Sequence, residues 1–337
     1  MPTHGRTSGS IGFSRKTGRR TRELSPSGRP RRVERKKHGV DVRAPSAARS
    51  ALMARVLIAG CGYVGSVLGQ GLAASGHAVW GLRRSPSKEP DAFRLLCGDL
   101  TKVEALRDVL PEELDFVVHA ASPRLAAGGS VEEAYRAVYL DGLSNLLRVL
   151  LEREHRPRRV FFVSSTSVYG QKRGEWVDED SPTHPARKTG DILLLAERLL
   201  EASDLPGTTL RLGGIYGPGR TRLIDSVRSG RAVVATGAPH YTNRIHRDDA
   251  ARALQHLIEF ENPAPVCLGV DCEPAAEQEV LRFLADRLAV EPPRRAAPDE
   301  SSPMRRAGSK RCRNRRLLET GFEFTYPSYR EGYASMI

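Results

Sequence analysis

Arg55-Val-Leu-Ile-Ala-Gly60-Cys-Gly62-Tyr-Val-Gly65 decides how this chain folds. The apolar run Val56, Leu57, Ile58 leads into Gly60-x-Gly62-x-x-Gly65, and an amphipathic stretch follows. A buried strand, a tight turn and a helix N-terminus need this order when the turn holds a dinucleotide. Gly60 can take a backbone conformation closed to residues with a Cβ. Gly62 lets the chain approach a pyrophosphate, and Gly65 lets the helix pack on the strand. Tyr63 and Val64 lie in the same turn. The helix N-terminus offers free N–H groups and partial positive charge to phosphates. A glycine-rich surface loop would not require the apolar run before it.

Residues 64–75 fit a helix closed by Gly76, and 77–82 fit a second strand. Arg83 and Arg84 come next, with no carboxylate before Glu89. An NAD site usually places an acidic residue here to accept from the ribose 2′-hydroxyl. Arginine suits the 2′-phosphate of NADP. The pair favours NADP, with NAD possible, over the plainer reading of two solvated side chains. Strands are expected at 93–97, 114–119, 159–163, 208–212 and 266–270. Helices are expected at 103–110, 131–152, 191–200, 250–260 and 274–288, and a loop at 291–309. Ala120, Ala121 and Ser122 at a strand end are small enough for a ring to pack over the backbone. The alternation implies an α/β fold, a Rossmann-type doubly wound parallel sheet. We expect an NAD(P)-binding domain over 53–260 and a small C-terminal substrate or lid region over 261–337.

The net charge of +13 is unevenly placed. Residues 1–52 hold 14 Lys/Arg and 3 Asp/Glu, so the remaining 285 residues carry only +2. The basic stretch is poor in apolar residues and rich in Arg, Ser, Gly and Pro, a composition that points to disorder. It fits a misassigned start with translation beginning at Met53, an acid-poor targeting peptide, or a basic arm for anionic surfaces. Phe13 is its only aromatic residue, which counts against stacking on nucleic-acid bases. Five cysteines with no Cys-x-x-Cys argue for a reducing compartment and against a zinc site, so no metal is expected. No apolar run has membrane-span length and no signal-peptide core is visible. The expectation is a cytoplasmic protein.

Further motifs follow in order. They are Gly98-Asp99-Leu100, Val163-Ser-Ser-Thr-Ser-Val-Tyr-Gly170, Arg211-Leu-Gly213-Gly214-Ile-Tyr216-Gly-Pro-Gly-Arg220 and Asn243-Arg-Ile-His246-Arg-Asp-Asp249. Together with the glycine turn they resemble the extended short-chain dehydrogenase/reductases of the NAD-dependent epimerase/dehydratase type, most strongly over 53–260. The C-terminal segment is similar to an atypical branch of that superfamily. The resemblance implies that Asp99, Leu100, Gly213 and Gly214 belong to the cofactor site. It implies a small-molecule substrate, such as a carbonyl compound or a nucleotide sugar. It also implies a homodimer packed through the helices at 131–152 and 191–200.

The family's chemistry uses a Tyr and a Lys at i and i+4 on one helix, plus a Ser or Thr at the end of the fifth strand. Ser165 matches the hydroxyl. Alignment through Ala196-Glu197 puts Thr189 at the tyrosine position and Leu193 at the lysine position, and neither can do the job. Replacements could come from Tyr216 and His246, which lie in motifs that shape the cleft in relatives. His184, Lys188, Asp191 and Tyr241 are weaker candidates, and Tyr169 reads as structural. Two functions follow. One is an NAD(P)-dependent oxidoreductase or epimerase/dehydratase-like enzyme with an atypical active site. The other is a non-catalytic dinucleotide-binding sensor or scaffold.

Overall fold

The computed structural model describes residues 53–85, 92–125, 128–154, 156–234, 236–295 and 308–337. The expectations for 1–52, and for 296–307 of the loop, lie outside the described residues. Seven strands form one parallel sheet: β1 (Arg55–Ala59), β2 (Ala78–Arg83), β3 (Arg94–Cys97), β4 (Phe116–His119), β5 (Arg159–Ser165), β6 (Gly207–Leu212) and β7 (Val266–Gly269). Their spatial order is β7-β6-β5-β4-β1-β2-β3. Val56 sits between Val79 of β2 and Phe116 of β4, so strand order reverses at β1. An α/β sheet opens a ligand crevice at that switch point, beyond the carboxyl ends of its strands.

Alternating side chains along each strand feed two cores. Val56, Ile58, Val118 and Phe161 face α1 (Gly65–Ala74) and α7 (Arg247–Glu259). Leu57, Ala59, Val117 and Phe162 face α2 (Val103–Val109), α4 (Gly142–Glu152) and α5 (Lys188–Glu201). Leu143, Leu146, Leu147 and Leu150 of α4 are all buried there. Each contributes about 1.5–3 kcal/mol by leaving water.

The expected helix at 131–152 is present but not uniform. It starts as α3 (Val131–Tyr135), capped where Ser130 accepts from the Glu133 N–H at 3.3 Å. It widens into a π-helical turn at Arg136–Asp141 before α4 begins. Such turns recur at functional sites because they rotate side chains out of the regular phase.

On α5, the apolar residues Ile192, Leu195, Ala196, Leu199 and Leu200 fall at helical spacing but do not together mark the buried face. The buried residues are Gly190, Leu193, Ala196, Glu197 and Leu200, while Leu195 is 45% exposed. Leu193, Ala196 and Leu200, at i, i+3 and i+7, set the buried face, and the ion-paired Glu197 lies on it.

The boundary expected at 260/261 is not a structural division. β7 lies beyond it yet completes the main sheet along β6. The smaller lobe draws Ile224 and Val227 of α6 (Arg222–Arg228) into one core with Leu281 and Leu284 of α8 (Glu277–Leu288) and with Tyr329 and Tyr333 of α9 (Tyr329–Ala334). Short strand pairs at Lys310–Cys312 and Glu175–Val177, and at Arg294–Arg295 and Val233–Val234, tie this lobe down. None of them has the length or alternation that would reveal a strand in sequence. Among the described residues, no helix is long and apolar enough to cross a membrane.

Candidate active site

A cleft of about 630 Å³ opens at the switch point. Gly60, Gly62, Tyr63 and Val64 form its floor. Gly60 has φ +99°, and the Gly60 and Cys61 N–H groups both bond the Leu82 carbonyl at 3.0 Å. A Cβ at Gly60 would lie 2.2 Å from the Ala121 backbone. A Cβ on Gly62 would meet only the Gly60 oxygen, at 4.0 Å, and would otherwise fill open cleft. The bare backbone there is a cradle for a ligand that must come close. Gly65 does not line the cleft. A Cβ there would lie 2.7 Å from the Gly60 oxygen and 3.0 Å from Ile58 Cγ2, so its absence lets α1 pack on β1.

Arg83, Arg84 and Ser85 wall one end with Gly98, Asp99, Leu100 and Thr101. Arg83 is the last residue of β2 rather than the first of a loop. The Asp99 carboxylate accepts from the Thr101 N–H at 2.9 Å and its hydroxyl at 2.8 Å. Ala120, Ala121 and Ser122 continue β4 along the side. Four arginines (83, 84, 124 and 220) and a single carboxylate, Asp99, line the cleft among the described residues. That balance suits a polyanion.

Ser165 lines the cleft at the end of β5. Its Oγ accepts from the Ser167 N–H at 3.1 Å, which leaves its own proton to donate. Leu193 reaches the same cleft from α5, while Thr189 does not line it. Gly213 is in the lining and Gly214 is not. Gly214 pairs instead with Arg244 in a short parallel bridge.

Tyr216 and His246, expected in the reacting region, do not line the cleft. Tyr216 is buried behind it, its hydroxyl 3.5 Å from the Ser328 carbonyl and its ring 4.4 Å from Tyr333. Gly332 on α9 makes room for that phenol. Burial pushes the Tyr216 hydroxyl to a much weaker acid than usual. His246 is a buried helix cap. Its Nδ1 accepts from the Asp248 N–H at 3.3 Å, and its ring lies 4.0 Å from Tyr326. Burial lowers its affinity for a proton. His184, Lys188, Asp191 and Tyr241 are also outside the lining. Lys188 pairs at the surface with Glu132, at 3.3 Å.

Two phenols that sequence reading passed over do line the cleft. Tyr135 and Tyr139 project from α3 and the π-helical turn, ring centroids 5.2 Å apart. Removal from water pushes the Tyr139 hydroxyl up to about 12, reinforced by Tyr135 and opposed by a hydrogen bond with Ser122 and the charge of Arg220. Their i, i+4 spacing on one helix could have flagged them.

Three of the other motif segments meet in one buried network. Arg211 donates to both carboxylate oxygens of Glu197, through Nε at 3.1 and 3.2 Å and Nη2 at 2.7 Å. Ser164 Oγ donates to the same carboxylate at 2.5 Å. Arg211 Nη1 donates at 2.6 Å to the Tyr169 hydroxyl, which donates to the Asp178 carbonyl at 2.8 Å. Val-Tyr-Gly, Ala-Glu and Arg-Leu-Gly-Gly are therefore joined as a structural staple between β5, α5 and β6.

The model of the NAD dependent epimerase/dehydratase family matches residues 56–266. Protein YeeZ of Escherichia coli K12 is 30% identical over 286 residues, covering 82% of this chain and 97% of that protein. The 3-diazoavenalumate denitrifying reductase of a Streptomyces species is 30% identical over 308 residues, covering 82% and 98%. A solved structure from Methylobacillus flagellatus, described as a candidate NAD-dependent epimerase/dehydratase, is 35% identical with a TM-score of 0.68. It covers 84% of this chain and 97% of its own. With the Rossmann-like sheet and the glycine turn at its switch point, these matches show that the chain belongs to the NAD-dependent epimerase/dehydratase family of extended short-chain dehydrogenase/reductases.

Proposed function

We propose that the chain is an NADP(H)-dependent oxidoreductase or epimerase/dehydratase-like enzyme acting on a carbonyl or alcohol of a small molecule, such as a nucleotide sugar. The observation that carries this reading is the arginine-rich cleft of about 630 Å³ with the bare Gly62 backbone as its floor. Its size suits a ligand of dinucleotide class. The N-terminus of α1 receives the pyrophosphate. Arg83 and Arg84, with Ser85, take the 2′-phosphate. Ser165 donates its hydroxyl proton to an oxygen of the substrate. A bound nicotinamide dinucleotide supplies hydride-transfer chemistry that no side chain has. Leu193 keeps the lysine position of relatives apolar, so no fixed cation tunes a neighbouring acid there. Losing a positioned acid/base costs about 10²–10⁴ in rate, so slow turnover is expected unless another group of the cleft serves.

The presence of Leu193 in the cleft also favours a second reading, a dinucleotide-binding sensor or scaffold without turnover. Calorimetric titration with NADPH and NADH, then NADPH oxidation against small aldehydes, ketones and sugar nucleotides, separates them. The enzyme reading expects NADPH to bind at least about tenfold tighter than NADH, which is about 1.4 kcal/mol. It expects that preference to vanish in Arg83→Ala/Arg84→Ala, and at least one substrate to be turned over. Tight NADPH binding with no consumption across the panel supports the sensor. Failure to bind either dinucleotide refutes both.

A further inference from the structure

Of the four arginines in the cleft, Arg220 has a setting the assignments above do not explain. It closes a tight turn in which Gly217 (φ +144°) and Gly219 (φ +82°) adopt conformations that a Cβ disfavours. The Arg220 N–H bonds the Gly217 carbonyl at 2.9 Å. The turn is latched onto the glycine turn 155 residues earlier, where the Tyr63 hydroxyl donates to the Pro218 carbonyl at 3.0 Å. The Arg220 guanidinium lies 4.0 Å over the Tyr63 ring centroid. Such a stack fixes the plane of the group and leaves its N–H edges free to bind. Arg247 also approaches that ring, at 5.3 Å, but is committed to Asp248 at 2.8 Å. Among the described residues, Arg220 makes one side-chain hydrogen bond, to the Ile215 carbonyl at 3.3 Å, and no ion pair. Its charge acts on Tyr139, on the opposite wall, as well as on Tyr63.

We propose that Arg220 is a ligand for the pyrophosphate of the bound dinucleotide, a strap that closes over the cleft and is latched to Tyr63. This rests on the cleft being a dinucleotide site. Position selects the pyrophosphate over the 2′-phosphate. Tyr63 stands between Gly62 and Gly65, where the pyrophosphate meets the start of α1, whereas Arg83 and Arg84 stand at the other end. A guanidinium presenting two N–H groups matches two phosphate oxygens, and dinucleotide binding would bridge two segments far apart in the chain.

The test titrates the full chain and its variants with NADPH, with ADP-ribose, which keeps the pyrophosphate, with adenosine 2′-monophosphate, which lacks it, and with UDP-glucose, which carries a substrate-type diphosphate. Arg220 is exposed, so Arg220→Ala should fold, and its melting temperature checks this. Arg220→Ala should weaken ADP-ribose and NADPH by about 10- to 100-fold and leave adenosine 2′-monophosphate within about twofold. Arg220→Lys should recover only part of the loss, because an ammonium cannot present the planar fork. Tyr63→Leu, which loses both the stacked ring and the latch to Pro218, should weaken ADP-ribose more than Tyr63→Phe, which keeps the ring and loses only the latch. Unchanged ADP-ribose affinity in Arg220→Ala overturns the proposal. So does a loss confined to UDP-glucose, which would place Arg220 on a substrate phosphate. If the wild type binds neither NADPH nor ADP-ribose, the dinucleotide reading itself fails.

Discussion

Glu197→Ala should be the most damaging single change outside the cleft. Glu197 and Arg211 are each 6% exposed, and the carboxylate accepts from three donor groups: Arg211 Nε, Arg211 Nη2 and Ser164 Oγ. Its removal leaves the guanidinium with the Tyr169 hydroxyl as its remaining partner in the network, and strands Ser164 Oγ. Removing one partner of a buried ion pair costs about 3–5 kcal/mol, because a buried charge is left uncompensated. Whole domains are stable by only about 5–15 kcal/mol. With a urea slope of about 3 kcal/mol/M, the unfolding midpoint should fall by about 1 to 1.7 M. Equilibrium urea unfolding followed by circular dichroism measures this. The double change Glu197→Leu/Arg211→Met removes both charges and should be less destabilised than Glu197→Ala, since an apolar pair of similar volume can replace a buried ion pair. A midpoint shift below about 0.3 M in Glu197→Ala, or a double variant worse than the single, would refute the claim that these motif residues form a structural staple.

Two further outcomes are expected. His119 is fully buried, its Nε2 3.1 Å from the Val138 carbonyl, and burial lowers its pKa from 6.5 to about 4. Between those values the unfolded chain binds a proton that the folded chain refuses, so stability is complete above pH 6.5 and is lost as pH falls towards 4. The loss amounts to about 3 kcal/mol, and His119→Gln should flatten that limb of a stability–pH curve. Gly60→Ala places a Cβ 2.2 Å from the Ala121 backbone at φ +99°, so calorimetry should show NADPH binding lost and the melting temperature reduced. Wild-type affinity in Gly60→Ala would mean that the turn does not shape the site.

Sequence alone determined the parts of the molecule that depend on neighbours along the chain. Val56–Ile58 followed by Gly60, Gly62 and Gly65 needs no distant residue to become a strand, a turn and a helix start. The arginines after β2 can be placed by counting from that turn, which is why most of the cleft lining around Gly60–Val64 and Arg83–Ser85 was legible. The substrate end was not, because side chains there are aimed by packing. Tyr216 and His246 sit in cleft-forming motifs, yet Tyr326, Gly332 and Tyr333 of the C-terminal segment surround them and take them out of the cleft. Tyr135 and Tyr139 line the cleft where the α-helix gives way to a π-helical turn, and the spacing of apolar residues does not encode that change of geometry. The charge of Glu197 on α5 was readable in sequence, but its burial depended on Ser164 and Arg211 arriving from β5 and β6. Tertiary structure alone made that meeting, since neither charge could be buried without the other.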